Sequence, residues 1–343
     1  MPVSALPSVT DDRVLNPALI NRIAGLWFSP ETVKREFQYA YHIITDRNVC
    51  GCRCGAAVAL VALSNVVQAQ ETPPLAWQAF RTNEAGFYRA PVLITGKSEA
   101  VLIDSGFNFA DGQAVADAIK ASGKHLTTVY ITTSDPDYYF GLAPVHRAFP
   151  EAKILAAPET VALMKEKAEG KIKAWSGMLG KNGPASVSEL VFPQQSQVKQ
   201  LTVDGQALEI VNEPGLGDRG RYIWVPSLRA VFGGVAVFGG MYPWVADTPT
   251  AEKRAAWRAA LDRIVARKPV IVVPGHVTKA FPLNISSVTY TRDYLETFDA
   301  EAVRSKNAAA LINAMKKHYP SEAMPASLET GAKVVKGEMS WGN

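Results

Sequence analysis

The chain has 343 residues, 48% of them hydrophobic, which suffices for a large buried core in one big domain or two small ones. Its formal charge of +4 is spread along the sequence with no dense basic run, which argues against nucleic acid as a partner. Gly-rich phosphate loops, a G-x-S-x-G elbow and sequence repeats are all missing, which removes the common nucleotide-binding, serine-hydrolase and solenoid classes.

Residues 1–45 carry scattered apolar side chains and no motif, and are read as a mis-assigned or disordered extension. Residues 46–69 look different. Cys50, Cys52 and Cys54 stand together, and Gly55 to Val67 form an apolar block too short for a comfortable membrane span. Arg47 and Arg53 precede or flank its start, and Val67-Gln68-Ala69 closes it as a small-residue cleavage pattern. That is the layout of a secretory leader, which predicts a periplasmic or secreted protein starting near Gln70, without thiols and without a membrane partner after processing. A genuine extension with a short membrane anchor behind it is the other reading.

From Phe87 the pattern turns α/β. "FYRAPVLIT" and "AVLID" read as strands joined by a Gly96-Lys97 turn, and "FADGQAVADAIKASGK" reads as a helix capped by Gly123. The strand "LTTVYIT" runs into the loop "SDPDYYFG". A helix over "YFGLAPVHRAFP", a strand at "AKILAAP" and a helix over "PETVALMKEKAEGK" follow. Residues 170–198 are rich in polar, Gly, Pro and Ser residues and are read as a surface insertion. Strands resume at "VKQLTV", "ALEIVN", "RYIWVP" and "RAVFGG". The amphipathic "TAEKRAAWRAALDRIVARK" then leads into the buried strand "PVIVVPGH". From about Thr289 the tail is helical as far as "MKKHYP" and irregular beyond it. The boundaries are a domain over 70–282 and a helical tail over 283–343.

Strands that come in pairs and then alternate with helices, twice over, suit two packed sheets with helices outside. The order "LIDSG", a strand ending in a D-x-D loop, "FGG" and "VVPGH" resembles the metallo-β-lactamase superfamily from about Phe87 to His276. The resemblance implies a single four-layer αββα sandwich with a helical C-terminal extension. It also implies a mouth where H-x-H-x-D-H and later ligands hold two zinc ions, and where a metal-bound hydroxide attacks an ester, amide, lactone or phosphoester. Laid on that pattern, Thr133 and Asp135 take the first two His positions, Asp137 the Asp and Tyr138 the last His. Leu216 and Val235 fall on the downstream His and the bridging ligand. Asp137 and His276 match outright.

The surviving side chains imply a divalent metal, zinc foremost with manganese or iron as alternatives, held by Asp135, Asp137, His276, Asp218 and Thr133. Asp137 and Asp135 are the candidate catalytic carboxylates, and Asp104 a candidate to orient a ligand from behind. Each has a plain structural alternative: Asp135-Pro136-Asp137 as a helix start, Asp104 as a strand-ending turn, Asp218 as an ion pair to Arg219 or Arg221. Tyr138, Tyr139, Tyr242 and Trp244 are candidate walls of a pocket for a small, hydrophobic substrate. His42, His125, His146 and His318 read as surface residues. The functional expectation is a metal-dependent hydrolase of a small molecule. A non-catalytic small-molecule-binding relative and a hydrolytic dehalogenase-like variant are the alternatives, and the oligomeric state is open.

Overall fold

A computed structural model describes residues 73–341 of the chain. The extension over 1–45, the leader over 46–69 and its three cysteines lie outside the described residues.

The first sheet has six strands in the order β1-β2-β3-β4-β5-β6. These are β1 (Ala76–Ala79), β2 (Val92–Thr95), β3 (Glu99–Ile103), β4 (His125–Tyr130), β5 (Lys153–Ala156) and β6 (Gln194–Gln195). Strands β2 and β3 form the expected hairpin, with Val92 opposite Ile103. The pairs from β3 to β6 are parallel. A parallel pair needs a crossover, and helix α1 (Phe109–Ser122) supplies the one from β3 to β4. Asn108 caps its first turn by accepting from the Asp111 N–H, and Gly123 ends it at φ 65°. The short α2 (Pro136–Tyr139) and α3 (Leu142–Ala148) connect β4 to β5, and α4 (Pro158–Leu179) follows β5.

The second sheet runs β12-β10-β9-β8-β7. Its members are β7 (Gln200–Val203), β8 (Gln206–Asn212), β9 (Arg221–Val225), β10 (Ala230–Phe232) and β12 (Ile271–Val273). A separate parallel pair joins β11 (Phe238–Gly239) to β13 (His276–Val277). Helix α5 (Ala251–Ala266) precedes β12, and α6 (Ser286–Arg304), α7 (Ala308–His318) and α8 (Pro325–Val335) close the chain.

The four layers follow from period-two alternation in strands buried on both faces. In β3, Val101 and Ile103 pack with Ile223, Val225 and Phe232 of the second sheet, forming the core between the sheets. Ala100 and Leu102, on the opposite face, pack with Val115 and Ile119 of α1. In β9, Ile223 and Val225 face inward while Tyr222 and Trp224 face the helical layer that includes Trp257 and Leu261 of α5. The expected αββα sandwich is therefore present, with the helical extension behind it.

Four details differ from the sequence reading. Phe87 and Tyr88 do not begin a strand: both are left-handed, at φ 54° and 53°, and only Arg89 touches the sheet, as an isolated bridge to His276. Helix α4 continues past Lys171 to Leu179, because Ala168, Ile172, Trp175 and Leu179 keep helical spacing against the core through the polar stretch. The edge strands β1 and β6 have no counterpart among the expected elements. The tail is not irregular after Pro320, since α8 starts on Pro325 and buries Leu328 and Ala332.

Candidate functional site

The ends of β3, β4 and β12 meet at one edge. Asp104 follows β3 at φ 60°, a left-handed conformation that turns its carboxylate back under the next strand. There it accepts from the Thr132 N–H and from the Thr132 hydroxyl, both at 2.9 Å. Beyond β4 the loop passes through Thr133 to Pro136, whose fixed φ starts α2 and sets Asp137 in its first turn. Pro274 and Gly275 end β12 and deliver His276.

Between these ends lies Arg89, with 0% of its surface exposed. Its Nη2 donates to Asp104 Oδ2 at 3.2 Å, its Nε donates to the Asp137 carbonyl at 3.1 Å, and its Nη1 donates to the Gly275 carbonyl. The guanidinium carbon stands 3.2 Å from the centre of the Tyr138 ring, a cation stacked on an aromatic face. Asp137 Oδ2 is 3.6 Å from Arg89 Nε. Gly275 is required at this approach, because a Cβ there would lie 1.9 Å from the Gly234 carbonyl and 2.8 Å from Arg89 Nη1.

His276 completes the cluster. Its Nδ1 is 2.8 Å from the Phe87 carbonyl, which can only accept, so Nδ1 carries the hydrogen and Nε2 faces Asp137 Oδ2 at 3.4 Å. Its ring stacks flat on Phe238, with centroids 5.0 Å apart. Burial, reinforced by the charge of Arg89, pushes the His276 pKa well below its ordinary value. Burial also raises Asp137, against the opposing pull of Arg89. Both shifts run toward the uncharged forms, and the Asp137 carboxyl faces the imidazole Nε2. Asp104 is raised to about 6 by burial, with Arg89 and the Thr132 hydrogen bonds pulling the other way.

Thr133, Asp135 and Asp218, expected to join this cluster as metal ligands, belong to a neighbouring network. Asp135 Oδ2 pairs with Arg219 at 2.6 Å, Arg219 pairs again with Asp247 at 2.8 Å, and Lys171 stands 3.9 Å from Asp135. Asp218 accepts from the Thr133 hydroxyl at 2.9 Å, the Ser134 N–H at 2.7 Å and Arg221 at 3.1 Å. Its place is that of the ion-pair alternative: it ties the D-x-D loop to β9.

This donor set does not fit the metal that the resemblance implies. Among the described residues, no group of three or more His, Cys, Asp or Glu side chains converges to hold an ion. The carboxylate of Asp135 is taken by Arg219, and those of Asp104 and Asp137 flank Arg89. A dication bound to Asp137 would sit beside a fixed guanidinium. At about 4 Å and an effective dielectric of about 20, each unit of its charge would cost roughly 4 kcal/mol.

The aromatic candidates are mostly core. Tyr138, Tyr139 and Tyr242 are buried, and Trp244 is half-buried with its ring centre 5.0 Å from that of Trp341. The Tyr242 hydroxyl donates to the Tyr319 carbonyl at 2.5 Å. None of the four lines the cavity that does open beside the D-x-D loop. That cavity, of about 240 Å³, is lined by Leu216, Val235, Ala236 and Trp257 on its apolar side and by Arg219 and Asp247 on its polar side. Its walls thus include both positions, Leu216 and Val235, that the resemblance assigns to metal ligands. His125, His146 and His318 are exposed, as expected.

Arg89 is not among the residues that sequence reasoning singles out, and Arg219 enters it only as a partner for Asp218, whereas it pairs with Asp135 and Asp247. For Arg89 a signal exists: an arginine inside "FYRAPVLIT" interrupts a run whose neighbours are mostly apolar, and a buried charge demands a buried partner.

Residues 86–276 match the metallo-beta-lactamase superfamily. Among solved structures, a metallo-beta-lactamase family protein from Thermus thermophilus is 16% identical, covers 77% of this chain and 92% of its own, and superposes with a TM-score of 0.53. A beta-lactamase domain protein from Burkholderia ambifaria is 14% identical, covers 78% of this chain and 85% of its own, and gives 0.55. At these identities the likeness shows the fold alone. No curated protein matches the sequence. Members of the superfamily typically bind divalent metals such as zinc, and membership supports a hydrolase type of function. The chain belongs to the metallo-beta-lactamase superfamily.

Proposed function

We propose that this member of the superfamily binds a small molecule in the cavity beside the D-x-D loop and does so without the family's dinuclear zinc centre. The observation that carries the reading is the cavity itself, whose walls include Leu216 and Val235 where ligand positions were expected. At about 240 Å³ it is smaller than the roughly 300–1,000 Å³ of sites for drug-sized ligands, which points to a compact occupant. Such a ligand would place an apolar body against Leu216, Val235 and Trp257 and a polar end toward the Arg219–Asp247 pair. Trp257 is a fixed wall, because its Nε1 donates to the Ala236 carbonyl at 2.7 Å.

Hydrolysis is the second reading, supported by family membership and by the Asp137 carboxyl facing His276 Nε2 at 3.4 Å. In that reading His276 Nε2, its tautomer set by the Phe87 carbonyl, is the base that takes a proton from water. The experiment that separates the two uses p-nitrophenyl acetate, a chromogenic β-lactam and an acyl lactone as probes, with binding followed by thermal shift and turnover by product release. The binding reading expects a thermal shift with at least one probe that is lost in Val235→Trp, and no turnover above the solvent rate. Turnover that survives a chelator and disappears in His276→Ala would replace it with metal-free hydrolysis. Turnover abolished by the chelator would reject both.

A further inference from the structure

We infer that Arg89 is an internal stand-in for the metal ion of this fold, its guanidinium joining the segments a metal would otherwise join and keeping divalent ions out. This holds whatever the cavity binds. Arg89 touches the segment after β3 through Asp104, the segment after β4 through Asp137 and Tyr138, and the segment after β12 through Gly275. Those are the strand ends on which this fold carries its ligands, and Asp137, Tyr138 and the residue before His276 are themselves at or next to ligand positions.

The surrounding sequence is adapted to a guanidinium rather than to an ion. A histidine at position 138 would offer a lone pair, whereas Tyr138 offers a ring face to a planar cation and spends its hydroxyl on the Gly234 carbonyl at 3.2 Å. Three donors at the corners of the guanidinium match three acceptors on three different segments, a fixed fork geometry that a spherical cation does not reproduce. The left-handed pair Phe87–Tyr88, the bridge from Arg89 to His276 and the hydrogen bond from the Val277 N–H to the Tyr88 carbonyl at 2.8 Å aim this side chain inward. Two successive left-handed non-glycine residues are costly, which fits a segment that other contacts hold in place.

The test is elemental analysis of the full chain after loading with zinc or manganese and dialysis, with melting temperature beside it, on the wild type and four variants. The wild type should carry no stoichiometric metal. The variant Thr133→His/Asp135→His/Tyr138→His, which restores the family's imidazoles, should still carry none while Arg89 remains. Adding Arg89→Ala to that variant should let zinc bind stoichiometrically, with a rise in melting temperature on zinc addition. The single variant Arg89→Met should melt well below the wild type. Stoichiometric metal in the wild type that is lost in His276→Ala would overturn the inference, as would zinc binding by the triple-histidine variant with Arg89 in place. If the multiple variants fail to fold by circular dichroism, wild-type metal content and the Arg89→Met melt still decide it: bound metal or an unchanged melt sinks the proposal.

Discussion

Arg89 and Asp104 are each fully buried, and removing one strands the other. Breaking a buried pair costs more than the pair contributes, because an uncompensated charge is left in low dielectric; about 3–5 kcal/mol is expected for Arg89→Met by urea denaturation. Arg89→Lys should recover little of this, since an ammonium cannot reach Asp104, the Asp137 carbonyl and the Gly275 carbonyl together. Arg89→Met combined with Asp104→Asn should cost less than the sum of the single changes, and strict additivity would argue that the two are not coupled. The same cluster sets a pH dependence. One guanidinium serves two buried carboxylates, and Asp104 is raised to about 6, so the folded state holds a proton that the unfolded chain has already released. Stability contributed by this group therefore increases as pH falls from about 6 toward 4, by up to about 3 kcal/mol for a shift of about two units. His276 acts with the opposite sign, because an imidazole buried neutral resists protonation. Comparing wild type with Asp104→Asn across that window subtracts the His276 contribution. A difference between the two proteins that is flat with pH would contradict the assignment.

Elements were more legible than the site, and for a physical reason. Strands buried on both faces and helices with capped ends carry their signals locally: the β2–β3 hairpin, α1 between Asn108 and Gly123, and α5 stand where the sequence placed them. The site depends on which long-range partner each charged side chain takes, and local spacing does not encode that. Asp135 and Asp137 are two apart in an extended-to-helical loop, yet one pairs with Arg219 and the other flanks Arg89. The end of α4 carries only a weak local signal, because Gly170 and the lysines around it resemble a loop while Ile172, Trp175 and Leu179 continue the buried stripe. Contacts between elements also explain glycines that sequence alone leaves unread. Gly112, in α1, would place a Cβ 2.0 Å from the Gly141 carbonyl at the start of α3. The obstacle is backbone, which cannot swing aside, so Gly112→Ala should push α1 off α3 and destabilise by roughly 1–3 kcal/mol, the range for overpacking. Gly177→Ala, on the exposed face of α4 with nothing within 4 Å, should instead stabilise slightly through helix propensity. Thermal melts of the two variants should move in opposite directions.

At the scale of the whole molecule, the segment expected as a helical tail over 283–343 shares a buried core with the rest of the domain. Val288, Tyr294, Leu295 and Phe298 of α6, Leu311 and Met315 of α7, and Leu328 and Ala332 of α8 are buried in the same cluster as α1 and β3. Polar contacts reinforce this. Thr291 Oγ1 accepts from the Phe238 N–H at 2.9 Å, next to the ring that stacks on His276, and the Tyr242 N–H donates to the Ala323 carbonyl at 3.0 Å. Farther along, Trp341 Nε1 donates to Asp247 Oδ1 at 2.8 Å, and Asp247 is the second partner of Arg219 at the cavity rim. At roughly 1.5–3 kcal/mol for each large apolar side chain removed from water, loss of these residues rivals the whole stability of a domain, about 5–15 kcal/mol. A chain ended after Pro282 should therefore be recovered unfolded or aggregated, without the near-ultraviolet circular dichroism of packed aromatics. A chain ended after Ser340 loses Trp341 and its hydrogen bond to an exposed position. It should keep the native melt to within a few degrees, the scale of about 1 kcal/mol in a domain of this size. The first result failing, with a cooperative melt from the chain ended at Pro282, would mean that the sandwich stands alone and that the C-terminal helices are an accessory layer.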